Sequence, residues 1–423
     1  MNLFIINGRV IDPARKVDQR INCVIRNGVV AEWTTARQAP AGATVLDARG
    51  AVVTPGWIDI HTHLRDPGEE YKEDIASGAA AAAAGGFTSI VCMANTKPVN
   101  DCAAVTRYIR ERATHAAVRV YPVGALSRGL EGQALADIGD LKAEGVVAIS
   151  DDGRNVDNAL LMRRALEYAR DFDLPILVHA EESCLCAGGV AHEGEVAARL
   201  GLRGRPAAAE EIIIRRDAAL ARLTGGRVHF QHLSSAAGLA AIVAAKEERV
   251  PITAEATPHH LFLTDAVLED FDPVFRVNPP LRTDSDRAVL RRALRDGTID
   301  CIATDHAPHD ITVKGDVPIE EAAPGTVGLE TALPVCLRLV EERVVSLARL
   351  VELFTVGPAR ILALPAGRLG IGDAADLTIF DPQRPTTIHA AEFRSKSRNS
   401  VFEGWKLKGK VLYTIVQGNI VYS

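Results

Sequence analysis

No stretch of the 423-residue chain approaches the run of about 20 apolar residues needed to span a bilayer, and the start MNLFIINGRVIDP has no basic segment of the secretory kind. A cytoplasmic location is expected. Blocks of like charge are missing as well: 48 Lys+Arg against 54 Asp+Glu leave −6, spread along the chain, with no footprint for nucleic acid or an anionic membrane. The expected partners are small molecules and other proteins. There is no Gly-Lys-Ser/Thr phosphate loop and no G-x-S-x-G elbow. Gly370-Ile-Gly372 lies in a β-rich region with no helical pattern after it, so it does not read as a dinucleotide loop. Cysteines number seven, and Cys92, Cys301 and Cys336 sit in apolar runs, as buried free thiols do in a reducing compartment. Cys184 and Cys186, one residue apart, match neither a zinc ribbon nor a C-x-x-C pair.

What is present is a globular composition, 47% hydrophobic and 24% charged, sufficient for a large core. Both ends carry short apolar runs broken by turn residues: LFIING and NCVIRNG at one, DLTIFDP, GKVLYTIVQG and NIVYS at the other. Neither end has enough strands to be stable alone, so the two are expected to combine, residues 1–53 with 365–423, into one small β-sandwich-like domain. Between them, over 54–364, eight short apolar runs alternate with alanine-rich amphipathic stretches. They are Trp57–Ile60, Phe87–Met93, Val118–Val123, Val146–Ser150, Pro175–Val178, Val228–Gln231, Pro251–Ala254 and Cys301–Thr304. Eight strands alternating with helices give the α/β class and a (β/α)8 TIM barrel, whose chemistry collects where the strands end.

The strand ends carry that chemistry. His61, His63 and Arg65 follow the first, Asn95 the second, Asp151-Asp152 the fourth, His179 the fifth, His232 ends the sixth, and Asp305-His306 follow the eighth. Interior barrel positions ought to be apolar, so His or Asp at strand after strand is a coordinated pattern. His61 and His63 alternate across Thr62 on an extended segment and point to one side. With further imidazoles and carboxylates converging and no thiolate, the donors suit a divalent hydrolytic metal such as zinc. Four His and two Asp exceed the three protein ligands of a single catalytic zinc and match two metals sharing a carboxylate. One of Asp151 and Asp152 is expected to ligate, the other to cap the turn into a helix starting near Asp157. His229, on the other face of its strand from His232, and His259 and His260, after the seventh strand, read as structural.

With these residues in view, the chain resembles the class I (bacterial) branch of the dihydroorotase family in the amidohydrolase superfamily. The resemblance runs through PGWIDIHTHLRDPG at 55–68, MANTKPV at 93–99, SDDG at 150–153, HAEE at 179–182, TPHHL at 257–261, RVNPPLR at 276–282 and ATDHAPH at 303–309. It implies that His61 and His63 hold one Zn2+, His179 and His232 a second, with Asp152 between them. Asp305 completes the first site and is the catalytic carboxylate. Asp152 is preferred to Asp151 through its spacing from His179. Hydantoinases and class II dihydroorotases bridge their metals with a carboxylated lysine, and GVVAISDDG has no lysine near the fourth strand. The implied substrate set is His63, Arg65, Asn95 and His309 for a carboxylate, with Asn278 and the backbone around Pro324 and Gly325 holding the ring. Arg65 suits this role because its planar fork pairs bidentately with a carboxylate. Asp66 stands where the family more often has Glu, which keeps the charge.

The reaction implied is the zinc-dependent, reversible cyclisation of N-carbamoyl-L-aspartate to (S)-dihydroorotate and water, in de novo pyrimidine (UMP) biosynthesis. Asp305 would carry the proton between the attacking water and the ring nitrogen. The alternatives are another cyclic amidohydrolase, a hydantoinase or allantoinase, and a non-catalytic partner of aspartate carbamoyltransferase. Chains of that last kind lose metal ligands, and here every candidate ligand is intact. A homo-oligomer is expected, and a complex with aspartate carbamoyltransferase is compatible with catalysis. The charged segment from His309 to Pro324 is expected to form a flexible loop over the mouth.

Overall fold

The computed structural model describes residues 2–423. All eight anticipated barrel strands are present and parallel: β1 Trp57–Thr62, β2 Phe87–Cys92, β3 Arg119–Gly124, β4 Ala148–Ser150, β5 Ile176–Val178, β6 Val228–Phe230, β7 Ile252–Ala256 and β8 Cys301–Ile302. Each pairs with its neighbour in chain order. The ring closes between β8 and β1 through a parallel bridge from Thr62 to His306 and the bond from His63 N to His306 O at 2.8 Å. Below it, the buried carboxylate of Asp59 accepts from Thr304 Oγ1 at 2.5 Å and from His61 N at 3.1 Å. Burial pushes Asp59 up to about 7 against those bonds. The last anticipated strand, Cys301–Thr304, is shorter than expected because Thr304 turns its donors to Asp59.

The helices between strands start and stop where local chemistry directs. Ile75–Gly85 opens on a reciprocal cap between Asp74 and Ser77 and ends at Gly86, whose φ of 92° is one that glycine adopts without strain. The helix Ala159–Asp171 is capped by the Asn158 side chain, which accepts from Leu160 N and Leu161 N. The expectation that Asp151 or Asp152 caps this helix is corrected. Asp151 instead accepts from Leu126 N at 2.8 Å, Ser127 N at 2.9 Å and the Ser127 hydroxyl, tying the loop after β3 to the end of β4.

Strands from both chain ends share sheets. One six-stranded sheet joins Arg9–Asp12, Val17–Arg20 and Val52–Pro55 to Leu377–Thr387, Lys406–Val416 and Asn419–Tyr422. A four-stranded sheet holds Leu3–Ile6, Asn22–Arg26, Val29–Thr34 and Thr44–Asp47. Leu3, Ile5, Cys23 and Ile25 from the second pack with Val10, Val53, Leu377 and Ile415 from the first in one apolar core. The composite β-rich domain expected from the termini is therefore present.

Trp57 joins the two parts. Fully buried, it stacks on Phe354 at 4.5 Å and meets Phe87 of β2 and Phe380 of the terminal sheet edge-on. Thr378 Oγ1 reaches Gly86 O at 2.5 Å and Thr414 Oγ1 reaches Ala83 O at 2.6 Å across the same boundary. Among the described residues no helix is long and apolar enough to cross a membrane.

Candidate metal centre

The residues singled out at the strand ends meet above the barrel. His61 and His63 are carried by β1 and its continuation, Asp152 by the turn after β4, His179 by the end of β5, His232 by the end of β6 and Asp305 by the segment after β8. All six are at least nine-tenths buried. His61 Nε2 lies 3.3 Å from Asp152 Oδ1 and 3.5 Å from Asp305 Oδ1. His63 Nε2 lies 3.0 Å from Asp305 Oδ1 and 3.4 Å from Asp152 Oδ2. His179 Nδ1 and His232 Nε2 each stand 3.8 Å from Asp152 Oδ1. Asp152 thus faces all four imidazoles. His232 and Asp305 both have positive φ, 32° and 48°, so the backbone bends sharply where these side chains are presented.

This donor set fits a metal. His61 Nε2 and Asp152 Oδ1 are buried and have no hydrogen-bond partner, an arrangement that is costly unless something binds them. Ligand bonds of about 2.0–2.2 Å put neighbouring donors of a tetrahedral ion about 3.3 Å apart, close to the spacings from His61 and His63. Burial alone would raise Asp305, but His61, His63 and His232 outweigh it and hold the carboxylate below its ordinary range. Asp152 is held low in the same way, chiefly by His61 against the effect of burial.

Support beneath the donors was not anticipated from sequence. His61 Nδ1 bonds Glu255 Oε1 at 2.7 Å, so its Nε2 is the nitrogen free to face the carboxylates. Glu255 Oε2 meets His229 Nε2 at 3.0 Å, and His229 Nδ1 meets Thr253 Oγ1 at 2.8 Å. His229 is thus structural, as read, but through a contact to a carboxylate bonded to His61. His179 Nε2 bonds Glu181 Oε2 at 2.9 Å, and Arg205 donates to the same oxygen at 2.7 Å. Both glutamates are driven down to about 2, burial being outweighed by their imidazole partners. A carboxylate in the middle of the apolar strand ITAEA was a signal of the same kind as the strand-end histidines.

Of the remaining predicted residues, Arg65, His309 and the backbone at Pro324 and Gly325 lie together, while Asn95 sits against His63. Arg65, with φ of 59°, donates from Nε to Pro308 O at 3.3 Å, and its NH2 lies 3.5 Å from His309 Nε2. Among the described residues no carboxylate forms an ion pair with this guanidinium. Asn95 uses its oxygen on His63 Nδ1 at 3.0 Å and its nitrogen on Asp152 O at 3.4 Å, so it steadies the His63 ring as well as flanking the cluster. His309 lies 2.9 Å from Pro324 O through Nε2, while its Nδ1 is buried without a partner. Burial and the Arg65 charge depress His309 to about 2, so its ring is neutral. Asn278 Oδ1 is likewise without a partner. His260 is saturated by Thr257 and Pro279 O, as a structural histidine should be, whereas His259 Nε2 is buried and free.

The segment expected to be a flexible loop carries the short helix Ile311–Lys314. Lys314 Nζ bonds Arg276 O at 2.6 Å, Arg276 donates to Ile319 O and Glu320 O, and Ala323 N bonds Val313 O. A cavity of about 320 Å³ opens beside it, walled in part by Tyr71, His309, Lys314 and Arg398.

The sequence profile of the Amidohydrolase family matches residues 52–421. Curated relatives include dihydroorotases from Anaeromyxobacter dehalogenans (strain 2CP-1), 53% identical over 100% of this chain and 98% of that protein, and from Geobacter metallireducens, 49% identical over the whole of both. Among solved structures, the L-hydantoinase (dihydropyrimidinase) from Arthrobacter aurescens superposes with a TM-score of 0.88 at 25% identity, covering 99% of this chain and 95% of that one. A D-hydantoinase from Thermus sp. superposes with 0.84 at 24% identity, over 99% of this chain and 94% of that one, a likeness of fold.

Proposed function

The chain belongs to the amidohydrolase family, and from that premise we propose that it is a metal-dependent cyclic amide hydrolase acting as a dihydroorotase, interconverting N-carbamoyl-L-aspartate and (S)-dihydroorotate. The observation that carries the choice of ring is Arg65. A half-buried guanidinium beside the donor cluster, with no carboxylate of its own, calls for an anionic substrate. Dihydroorotate brings a ring carboxylate, whereas hydantoin has none. The relatives near 50% identity support the same reading, and Asp152 in place of a lysine supports the class I branch.

His61, His63 and Asp305 would hold one zinc ion and His179 and His232 a second, with Asp152 shared. Bound there, the metals would supply Lewis acidity and make water acidic enough to ionise near neutral pH. The protein's own residues do the rest. Arg65, Asn95 and His309 take the substrate carboxylate, and Asn278 with the backbone at Pro324 and Gly325 holds the ring. Asp305, ionised and next to His63, accepts the proton of the attacking water and delivers it to the leaving ring nitrogen as the amide opens. In the biosynthetic direction the same carboxylate moves the proton the other way. The seven free cysteines support placement in the reducing cytoplasm.

The test is the ultraviolet absorbance change on mixing zinc-loaded protein with dihydroorotate, beside a hydantoin control and Asp305→Ala. Turnover of dihydroorotate that falls by at least about 10²–10⁴-fold in the variant is expected. Turnover of hydantoin alone would transfer the assignment to that ring.

A further inference from the structure

Both proposed metal positions rest on imidazoles, and each imidazole set has a buried carboxylate behind it, yet the two carboxylates are wired differently. Glu181 touches one ligand: Oε2 bonds His179 Nε2 at 2.9 Å and is shared with Arg205. Glu255 touches ligands of both sets with a single oxygen. Oε1 bonds the ring of His61 at 2.7 Å and accepts the backbone N–H of His232 at 3.2 Å. Its other oxygen is fixed by His229, which is itself fixed by Thr253.

We infer that Glu255 is a positioning residue that couples the two metal sites, holding the His61 ring and the bent backbone of His232 through one carboxylate oxygen. The His61 bond selects the tautomer with the proton on Nδ1, leaving the Nε2 lone pair for the first metal. The His232 bond acts on backbone. With φ of 32°, His232 occupies a region that a non-glycine residue enters only when its surroundings compel it, and its N–H is held by Glu255. Loss of the Glu255 charge would release both ligands together. Loss of Glu181 would release only His179.

This rests on the two-metal reading, and the experiment separates the two. Zinc is titrated into metal-free wild type, Glu255→Gln and Glu181→Gln against a chromophoric chelator, and the melting temperature of each metal-free protein is recorded. Wild type is expected to bind two zinc ions. Glu181→Gln should weaken one of them by about 10–100-fold and leave the other unchanged, whereas Glu255→Gln should weaken both. His229→Gln, which keeps Glu255 but removes its anchor, should weaken both to a smaller extent and carries the test if Glu255→Gln melts far below wild type without metal. Two wild-type affinities in Glu255→Gln, or a loss confined to one site, overturn the coupling alone. Fewer than two zinc ions in the wild type overturn the two-metal reading and the coupling with it.

Discussion

Lys314 is the residue in the segment beside the mouth whose replacement has the most calculable effect. Its side chain is 2% exposed, its polar contact is the carbonyl of Arg276 at 2.6 Å, and no carboxylate pairs with it among the described residues. Burial, aided by the Arg276 charge, pulls it from 10.5 down to about 7. Lys314→Met keeps the stem and removes the ammonium. At neutral pH the depression corresponds to roughly 4–5 kcal/mol of cost to the closed segment, and the lost hydrogen bond returns about 1–1.5 kcal/mol of that. The variant should therefore favour the closed segment by roughly 3 kcal/mol, capped by the free energy of opening it locally. The sign follows from linkage: a lysine depressed in the folded state contributes stability that is present above its unfolded value of 10.5 and is lost as pH falls toward about 7. The advantage of the variant should accordingly be greatest at and below pH 7, shrink as pH rises, and give way by about pH 10 to the roughly 1 kcal/mol loss of the hydrogen bond. Amide hydrogen exchange across residues 311–324, measured from pH 6 to pH 9, with melting curves extended to pH 11, reads both the size and the trend. Faster exchange in Lys314→Met at pH 7, or a gain that does not shrink with rising pH, would refute the argument.

Arg65→Lys retains the positive charge but not the planar fork, so KM for dihydroorotate should rise about 10–100-fold while kcat stays within several-fold. A fall in kcat at constant KM would show that Arg65 acts on the reacting bond instead. Stripping the protein with a chelator should lower its melting temperature, and zinc restored at about 100 times its dissociation constant should return about 2.7 kcal/mol for each independent site. An unchanged melting temperature would mean that the buried donors are satisfied without an ion.

The barrel was legible because each of its strands is a short apolar run bounded by residues that cannot stay inside, and the donor residues were legible because they interrupt that logic at strand ends. Boundaries slipped where a side chain captured the backbone, as Asp59 does at Thr304. The terminal strands were visible one by one, but their division into a sheet of four and a sheet of six was not, since Val52–Pro55 lies between Arg9–Asp12 and Leu377–Thr387 and only the fold brings those together. The assignment of Asp151 as a helix cap failed for a similar reason: Asn158 stood closer to the helix, and the donors that claimed Asp151 come from the preceding loop.

Glu255 marks the limit most clearly. A metal ligand declares itself by residue type and by its place at the end of a strand, whereas a residue that orients a ligand needs only an acceptor in the right place, which Asp, Glu, Asn or a carbonyl can each provide. Its partner, His61, lies 194 residues away in the chain, on the far side of β8 in the ring. What could have been read is the anomaly alone, an ionisable group inside ITAEA where a barrel strand should be apolar. A buried carboxylate is tolerable only with partners, and Glu255 finds them in His61 of the donor cluster and in His229 beside it, as Asp59 finds them in Thr304 and the backbone of His61. The same rule that picked out the strand-end donors therefore extends one step down β7: the charge of Glu255 inside the barrel points to the donor cluster above it.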